Sequence, residues 1–193
     1  MARFGHKADQ YLAPYKSRLF AGITGTVLEI GPGAGANLQH FPRGIRWIGV
    51  EPNPYMNRYL VHEAERLGMR IELLSGTAEE LPLQSASVDY AVSTLVLCSV
   101  FDQRRALGEI LRVLKPGGRL LFIEHVAAPR GTLLWRVQKV IKPLWRRMGD
   151  GCNPDRDTRT AIANSGFAVI EVDEFNAPLP IVRPHIAGYA IKS

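Results

Sequence analysis

Val27-Leu28-Glu29-Ile30-Gly31-Pro32-Gly33-Ala34-Gly35-Ala36-Asn37 is an apolar run that passes straight into a glycine-rich turn. Glycines let the backbone turn tightly and approach a ligand, because no Cβ intervenes. A helix start beyond such a turn offers free N–H groups to a carboxylate or phosphate. Downstream, Arg46–Val50 reads as a second strand ending at Glu51, twenty residues after Gly31. An acid at that spacing is placed to accept hydrogen bonds from ribose hydroxyls. Strand, turn, helix, strand and acid in this order point to a nucleotide-type site.

Outward from this stretch, strands and helices alternate. Helices are expected over 7–21 (disturbed at Pro14), about 35–40, 54–67, 103–114, 132–147 and 155–165. Strands are expected over 26–30, 46–50, 70–74, 88–93, 119–124, 167–174 and 185–191. Lys115-Pro116-Gly117-Gly118 supplies a helix stop. The pattern predicts right-handed βαβ crossovers and an α/β fold with a mostly parallel sheet. With 193 residues, one domain spanning 1–193 is expected, carrying an N-terminal helix and a lid-like insertion near 127–154.

A composition of 46% hydrophobic and 22% charged residues excludes disorder. Two cysteines are too few for a disulfide scaffold. No run of about 18 apolar residues is present to span a bilayer, and the first 20 residues hold no signal-type apolar core. The cytoplasm is the expected setting. Of the net charge of +6, residues 130–159 contribute +5, from eight bases and three acids. The basicity is a local patch and not a nucleic-acid-binding composition. The segment 132–147 is amphipathic, with Leu134, Val137, Ile141, Leu144 and Trp145 able to share one face. It reads as a lid helix, or as a weak peripheral contact with anionic membrane.

The glycine loop also satisfies a relaxed dinucleotide fingerprint. Glu29 argues against NAD: an acid there would repel a pyrophosphate, whereas it can orient the ammonium of an amino-acid ligand, directly or through water. The chain also leaves little room for a separate catalytic domain. An adenosine joined to an amino acid fits better.

These residues resemble the class I S-adenosylmethionine-dependent methyltransferases over about 26–191. The resemblance rests on VLEIGPGAG at 27–35, IGVEPNPYM at 48–56, GTAEELPLQSASVD at 76–89 and LRVLKPGGRLLFIEH at 111–125. It implies a Rossmann-like, doubly wound seven-stranded sheet with an antiparallel last strand, and S-adenosylmethionine as cofactor. It implies further that Glu29, Gly31, Gly33 and Gly35 form the cofactor loop and that Glu51 holds the ribose. Asn53 and Met56 would flank the adenosine, Ala78 and Glu79 would face the adenine, and Thr94 and Leu95 would line the cofactor. A closer resemblance, to the alkyl-thiol S-methyltransferases of the methyltransferase-like family, is carried by four further pieces. They are Thr94–Val100, Glu124–Ala128, Asp150-Gly151-Cys152-Asn153 and Arg183-Pro184-His185-Ile186 with Gly188-Tyr189-Ala190. Those enzymes sit on intracellular membranes by a long apolar N-terminal anchor, which the first residues here do not match.

The expected reaction is methyl transfer to a small apolar acceptor, with a thiol favoured over a quinone-like or lipid-like carbon or oxygen. A non-catalytic cofactor-binding module is the remaining alternative. Strand four is followed by Ser93-Thr94-Leu95-Val96 and not by the Asn/Asp-Pro-Pro motif common in amino-group methylation. A thiol is few-per-cent ionised near neutrality, so a base is useful. His125, just past strand five, is the candidate base, and equally a residue bonded to the lid backbone. His185 and Cys98 are further candidates, with tying the last hairpin and packing as their plainer roles. His6, His40 and His62 receive no role. Cys98 and Cys152, the latter in a polar Gly-Cys-Asn-Pro loop, either meet in the site and bind a soft metalloid or are passive; with 53 residues between them they make no zinc signature, and no metal is expected. The partners expected are a small-molecule acceptor and no nucleic acid, with the chain a monomer.

Overall fold

The computed structural model describes residues 2–193, with side chains from residue 10 onward; His6 lies outside the described side chains. Seven strands form one sheet: β1 (Thr26–Ile30), β2 (Arg46–Val50), β3 (Ile71–Leu74), β4 (Val88–Thr94), β5 (Leu114–His125), β6 (Val169–Asn176) and β7 (Pro184–Ile191). Their order is β3-β2-β1-β4-β5-β7-β6. Strands β1 to β5 pair in parallel, and β7 is antiparallel to both β5 and β6. The doubly wound sheet with an antiparallel last strand is thus as expected. Sheet order reverses between β1 and β4, and crevices at such reversals, beyond the carboxyl ends of the strands, are where α/β folds bind ligands.

The helices are α1 (Ala2–Phe20), α2 (Pro54–Leu67), α3 (Gln103–Val113), α4 (Leu133–Met148) and α5 (Thr158–Ala163). One core cluster joins Leu28, Ile30 and Phe122 to Leu107 and Ile110 of α3. Another, on the opposite face, joins Val27, Val92 and Leu121 to Phe20 of α1 and Leu60 of α2. Side chains alternate along a strand, so β1 feeds both cores. Asn53 caps α2 by accepting from the Tyr55 N–H, Pro54 opens the helix, and Gly68 closes it at φ +63°.

Three local expectations are corrected. Pro14 does not disturb α1, which runs unbroken through it; Leu12, Lys16 and Phe20 are buried at four-residue intervals and hold the helix to the sheet. Lys115–Gly118 is not a coil stop: α3 ends at Val113 and β5 starts at Leu114. The extra residues are absorbed by an irregularity between Val88 and Tyr90 of β4, where Lys115 pairs with Asp89. The five apolar residues of 132–147 do not share one buried face. Leu134, Ile141 and Trp145 are half-buried around buried Gln138, while Val137 and Leu144 are exposed. Gln138 fixes this rotation, accepting from the Ala128 N–H at 2.8 Å and donating to the Ile181 carbonyl at 2.9 Å. No helix among the described residues is long and apolar enough to cross a membrane.

Candidate active site

The carboxyl ends of β1, β2 and β4 converge on the glycine turn. Gly31, Gly33 and Gly35 all have positive φ. A Cβ on Gly31 would meet the Val96 side chain at 2.8 Å, whereas one on Gly33 would meet nothing within 4 Å. Gly31 therefore permits the turn to pack, and Gly33 keeps an open face above it. Glu51, 8% exposed, closes the turn. Its Oε2 accepts from the Gly33 N–H and its Oε1 from the Asn53 N–H, both at 2.9 Å.

Glu29 is fully buried on β1. Its oxygens accept from Asn37 Nδ2 at 2.8 Å and Trp47 Nε1 at 3.0 Å. Burial outweighs these bonds and raises its pKa to about 7. Asn37 also donates to Thr94 Oγ1 at 3.0 Å, which leaves its buried Oδ1 without a partner. An orphaned acceptor beside the glycine turn suits an ammonium donor, and the open face of Gly33 and the Glu51 carboxylate suit the rest of an aminoacyl nucleoside. The residues present therefore fit S-adenosylmethionine. The sequence alone does not mark Asn37, because an asparagine beyond a glycine turn carries no signal until Glu29 is seen to be buried.

The other expected cofactor residues lie around this turn and beyond. Met56 is half-buried on α2 and Ala78 is buried after β3. Glu79 Oε1 accepts from the Phe101 and Asp102 N–H groups at 2.6 and 3.2 Å, so it also ties the loop before α3. Leu95 follows β4 at φ +57°, a conformation uncommon for a bulky side chain. It is held by its N–H bond to the Ile123 carbonyl at 2.9 Å. Buried Glu124 completes the turn, its Oε1 accepting from Ser93 Oγ, the Val96 N–H and the Leu97 N–H at 2.6, 3.0 and 3.1 Å. Burial raises the Glu124 pKa.

At the ends of β4 and β5 the fold assembles a second group. Cys98 and His125 are buried and Cys152 is half-buried. One donor atom from each lies within 4.8 Å of the others. His125 Nε2 is 2.9 Å from Cys152 Sγ, and Trp145 Nε1 donates to the same sulfur at 3.3 Å. The Cys98 contact, followed by His125 and Trp145, pulls the Cys152 pKa down, and the same pairing together with burial pushes Cys98 up. Cys152, absent from the expected site residues, is thus central to this group. His185 faces His125 in the β5–β7 register, their rings 6.2 Å apart and edge-on. Its Nδ1 lies 3.0 Å from the Arg183 carbonyl, and burial lowers its pKa to about 4, so it is neutral at pH 7. His185 also borders an open cavity of about 710 Å³ lined by apolar Val126, Leu134 and Phe175 and by charged Asp157, Arg159 and Arg183. His40 and His62 stand away from this group, on the 38–40 turn and on α2.

Known proteins match this arrangement. Residues 28–122 match the methyltransferase domain family. Human thiol S-methyltransferase TMT1A is 42% identical over the whole of this chain and 84% of its own length. Human thiol S-methyltransferase TMT1B is 38% identical with the same coverage. A solved S-adenosylmethionine-dependent methyltransferase from Thermotoga maritima superposes with a TM-score of 0.68 at 25% identity, covering 99% of this chain and 97% of its own. Shared sequence across the entire length, on a fold whose glycine turn, acid and buried amide suit an aminoacyl nucleoside, places the chain among the S-adenosylmethionine-dependent methyltransferases, in the family that includes the thiol S-methyltransferases TMT1A and TMT1B.

Proposed function

We propose that this enzyme methylates the sulfur of a small apolar thiol. The observation that carries the reading is the soft, largely buried group of Cys98, His125 and Cys152 at the ends of β4 and β5, with the Leu134–Phe175–His185 cavity beside it. Val126, Leu134, Phe175 and Ile186 give this otherwise polar cavity an apolar part that suits an apolar acceptor. S-adenosylmethionine supplies a methyl group already activated on a sulfonium. The acceptor thiol gives up its proton, its sulfur forms the new C–S bond, and the electrons of the old bond stay with the departing thioether. The chain's task is alignment together with stabilising the thiolate.

In this reading Glu51 accepts from the ribose hydroxyls, with Asn53 and Met56 beside the adenosine and Ala78 and Glu79 at the adenine. Asn37, oriented by Glu29, accepts from the ammonium, and Thr94 and Leu95 separate cofactor from acceptor. The segment 127–154 acts as a lid within a single domain. Its outer face, flanked by bases, touches anionic membrane.

A panel of alkyl thiols, aryl thiols, phenols and quinols, read by S-adenosylhomocysteine release, tests the acceptor. Turnover with apolar thiols and none with phenols or quinols is expected; the reverse pattern overturns the thiol reading. Glu51→Ala, measured by calorimetry, should weaken S-adenosylmethionine binding by about 1.5–3 kcal/mol, the range for hydrogen bonds to a charged group. Unchanged affinity would remove Glu51 from the cofactor site.

A further inference from the structure

Cys98, His125 and Cys152 come from three separate parts of the fold: the turn after β4, the end of β5 and the loop after α4. The Cys98 carbonyl accepts from both the backbone N–H and the Nδ2 of buried Asn153 at 3.0 Å, which ties the two cysteine loops together. His125 is locked in the β5–β7 register. Both cysteines are free thiols. The set offers two sulfurs and one imidazole nitrogen and no oxygen. Such donors select thiophilic ions over Mg²⁺ or Ca²⁺.

We propose that Cys98, His125 and Cys152 are the protein ligands of a Zn²⁺ ion whose fourth position is left for the acceptor sulfur. Tetrahedral zinc, with bonds of about 2.3 Å to sulfur and 2.0–2.1 Å to nitrogen, separates its ligand atoms by roughly 3.5–3.8 Å. A spread within 4.8 Å reaches that geometry by side-chain adjustment alone, the 2.9 Å His125–Cys152 contact opening by under an ångström. Three protein ligands with one position open is the pattern of catalytic zinc, whereas structural sites are closed by four. The Trp145 Nε1–H bond to Cys152 Sγ supplies an outer contact of the kind that orients metal ligands. Metal uptake releases the cysteine protons to solvent. An acceptor thiol entering the fourth position gives up its proton likewise, so a thiolate faces the methyl donor near neutral pH. The ligand set stands on geometry alone; the role of the fourth position rests on the thiol reading.

The test uses the full chain, purified under reductant, stripped with chelator, and titrated with Zn²⁺ against a chromophoric competitor. Co²⁺ serves as the spectroscopic probe. We expect uptake of about one ion per chain, and a Co²⁺ complex with thiolate charge-transfer bands and tetrahedral d–d bands. Cys98→Ser, Cys152→Ser and His125→Ala should each weaken Zn²⁺ binding by more than the 10–100-fold typical of losing an outer contact, to which Trp145→Phe should be confined. Circular dichroism melts establish that each variant is folded. Should Cys98→Ser fail to fold, the wild-type Co²⁺ spectrum decides: bands without thiolate charge transfer overturn the site. Absence of stoichiometric uptake by the folded wild type, or full uptake by folded Cys152→Ser, overturns it as well. Uptake is read without turnover, so a bound ion alongside an inactive thiol panel refutes the thiol reading and leaves the site standing. Undiminished thiol methylation by verified metal-free protein overturns the role of the fourth position.

Discussion

Glu29 is a carboxylate held wholly inside the fold, where burial sets its chemistry. Its charge was expected to meet a ligand's ammonium directly or through water, yet both its oxygens face Asn37 and Trp47 inside the fold. Only the burial of β1's second face against Trp47 reveals this. The consequence is measurable. The folded pKa, about 7, lies above the ordinary 4.5, so the folded state holds a proton that the unfolded chain releases. The stabilisation from that proton is complete below pH 4.5 and is lost as pH rises through 7, in total about 3 kcal/mol at 1.36 kcal/mol per unit. Glu29→Gln turns an N–H toward either Asn37 or Trp47, which costs about 1–3 kcal/mol at every pH. The stability advantage of wild type over the variant should therefore fall from pH 4.5 to 7.5 in urea titrations, vanishing or reversing at the upper end. A constant difference would mean that Glu29 titrates normally.

Helix α4 carries five bases and no acid, and Gln138 is its one buried residue. Its amphipathicity was legible, but which side faces inward was not, since apolar residues lie on both. Gln138, a polar residue, turned out to be the buried one. The outer side exposes Leu133, Val137, Val140, Leu144 and Met148 at spacings of three and four, with Arg136, Lys139, Arg146 and Arg147 on the same helix. An apolar stripe flanked by bases is complementary to an anionic bilayer surface. The chain should sediment with phosphatidylserine-containing vesicles at low salt and be released by added salt. Arg146→Glu with Arg147→Glu should weaken binding by at least the roughly 1 kcal/mol that each base contributes. No sedimentation at low salt would leave α4 with a lid role alone.

At the scale of the whole molecule, β7 holds the sheet together by pairing with both β5 and β6. Gly188 sits where it must approach Glu171 of β6 and Phe122 of β5, and an added Cβ would overlap the Glu171 backbone. Gly188→Ala should lower stability by at least about 1–3 kcal/mol, seen as a fall in urea midpoint at unchanged slope. Gly108→Ala on α3, where a Cβ meets nothing within 4 Å, should be neutral or stabilising by up to about 1 kcal/mol. Equal effects would show that β7 tolerates separation from its neighbours. The sheet, the crossovers and the cofactor turn were determined by the sequence itself, because strand alternation, the glycines of 31–35 and the spacing to Glu51 are local and periodic signals. The meeting of Cys98, His125 and Cys152, the partnering of Glu29 and the rotation of α4 were decided only by the tertiary structure. Each depends on elements far apart in the chain being brought within a few ångströms, and no spacing along the sequence encodes that distance.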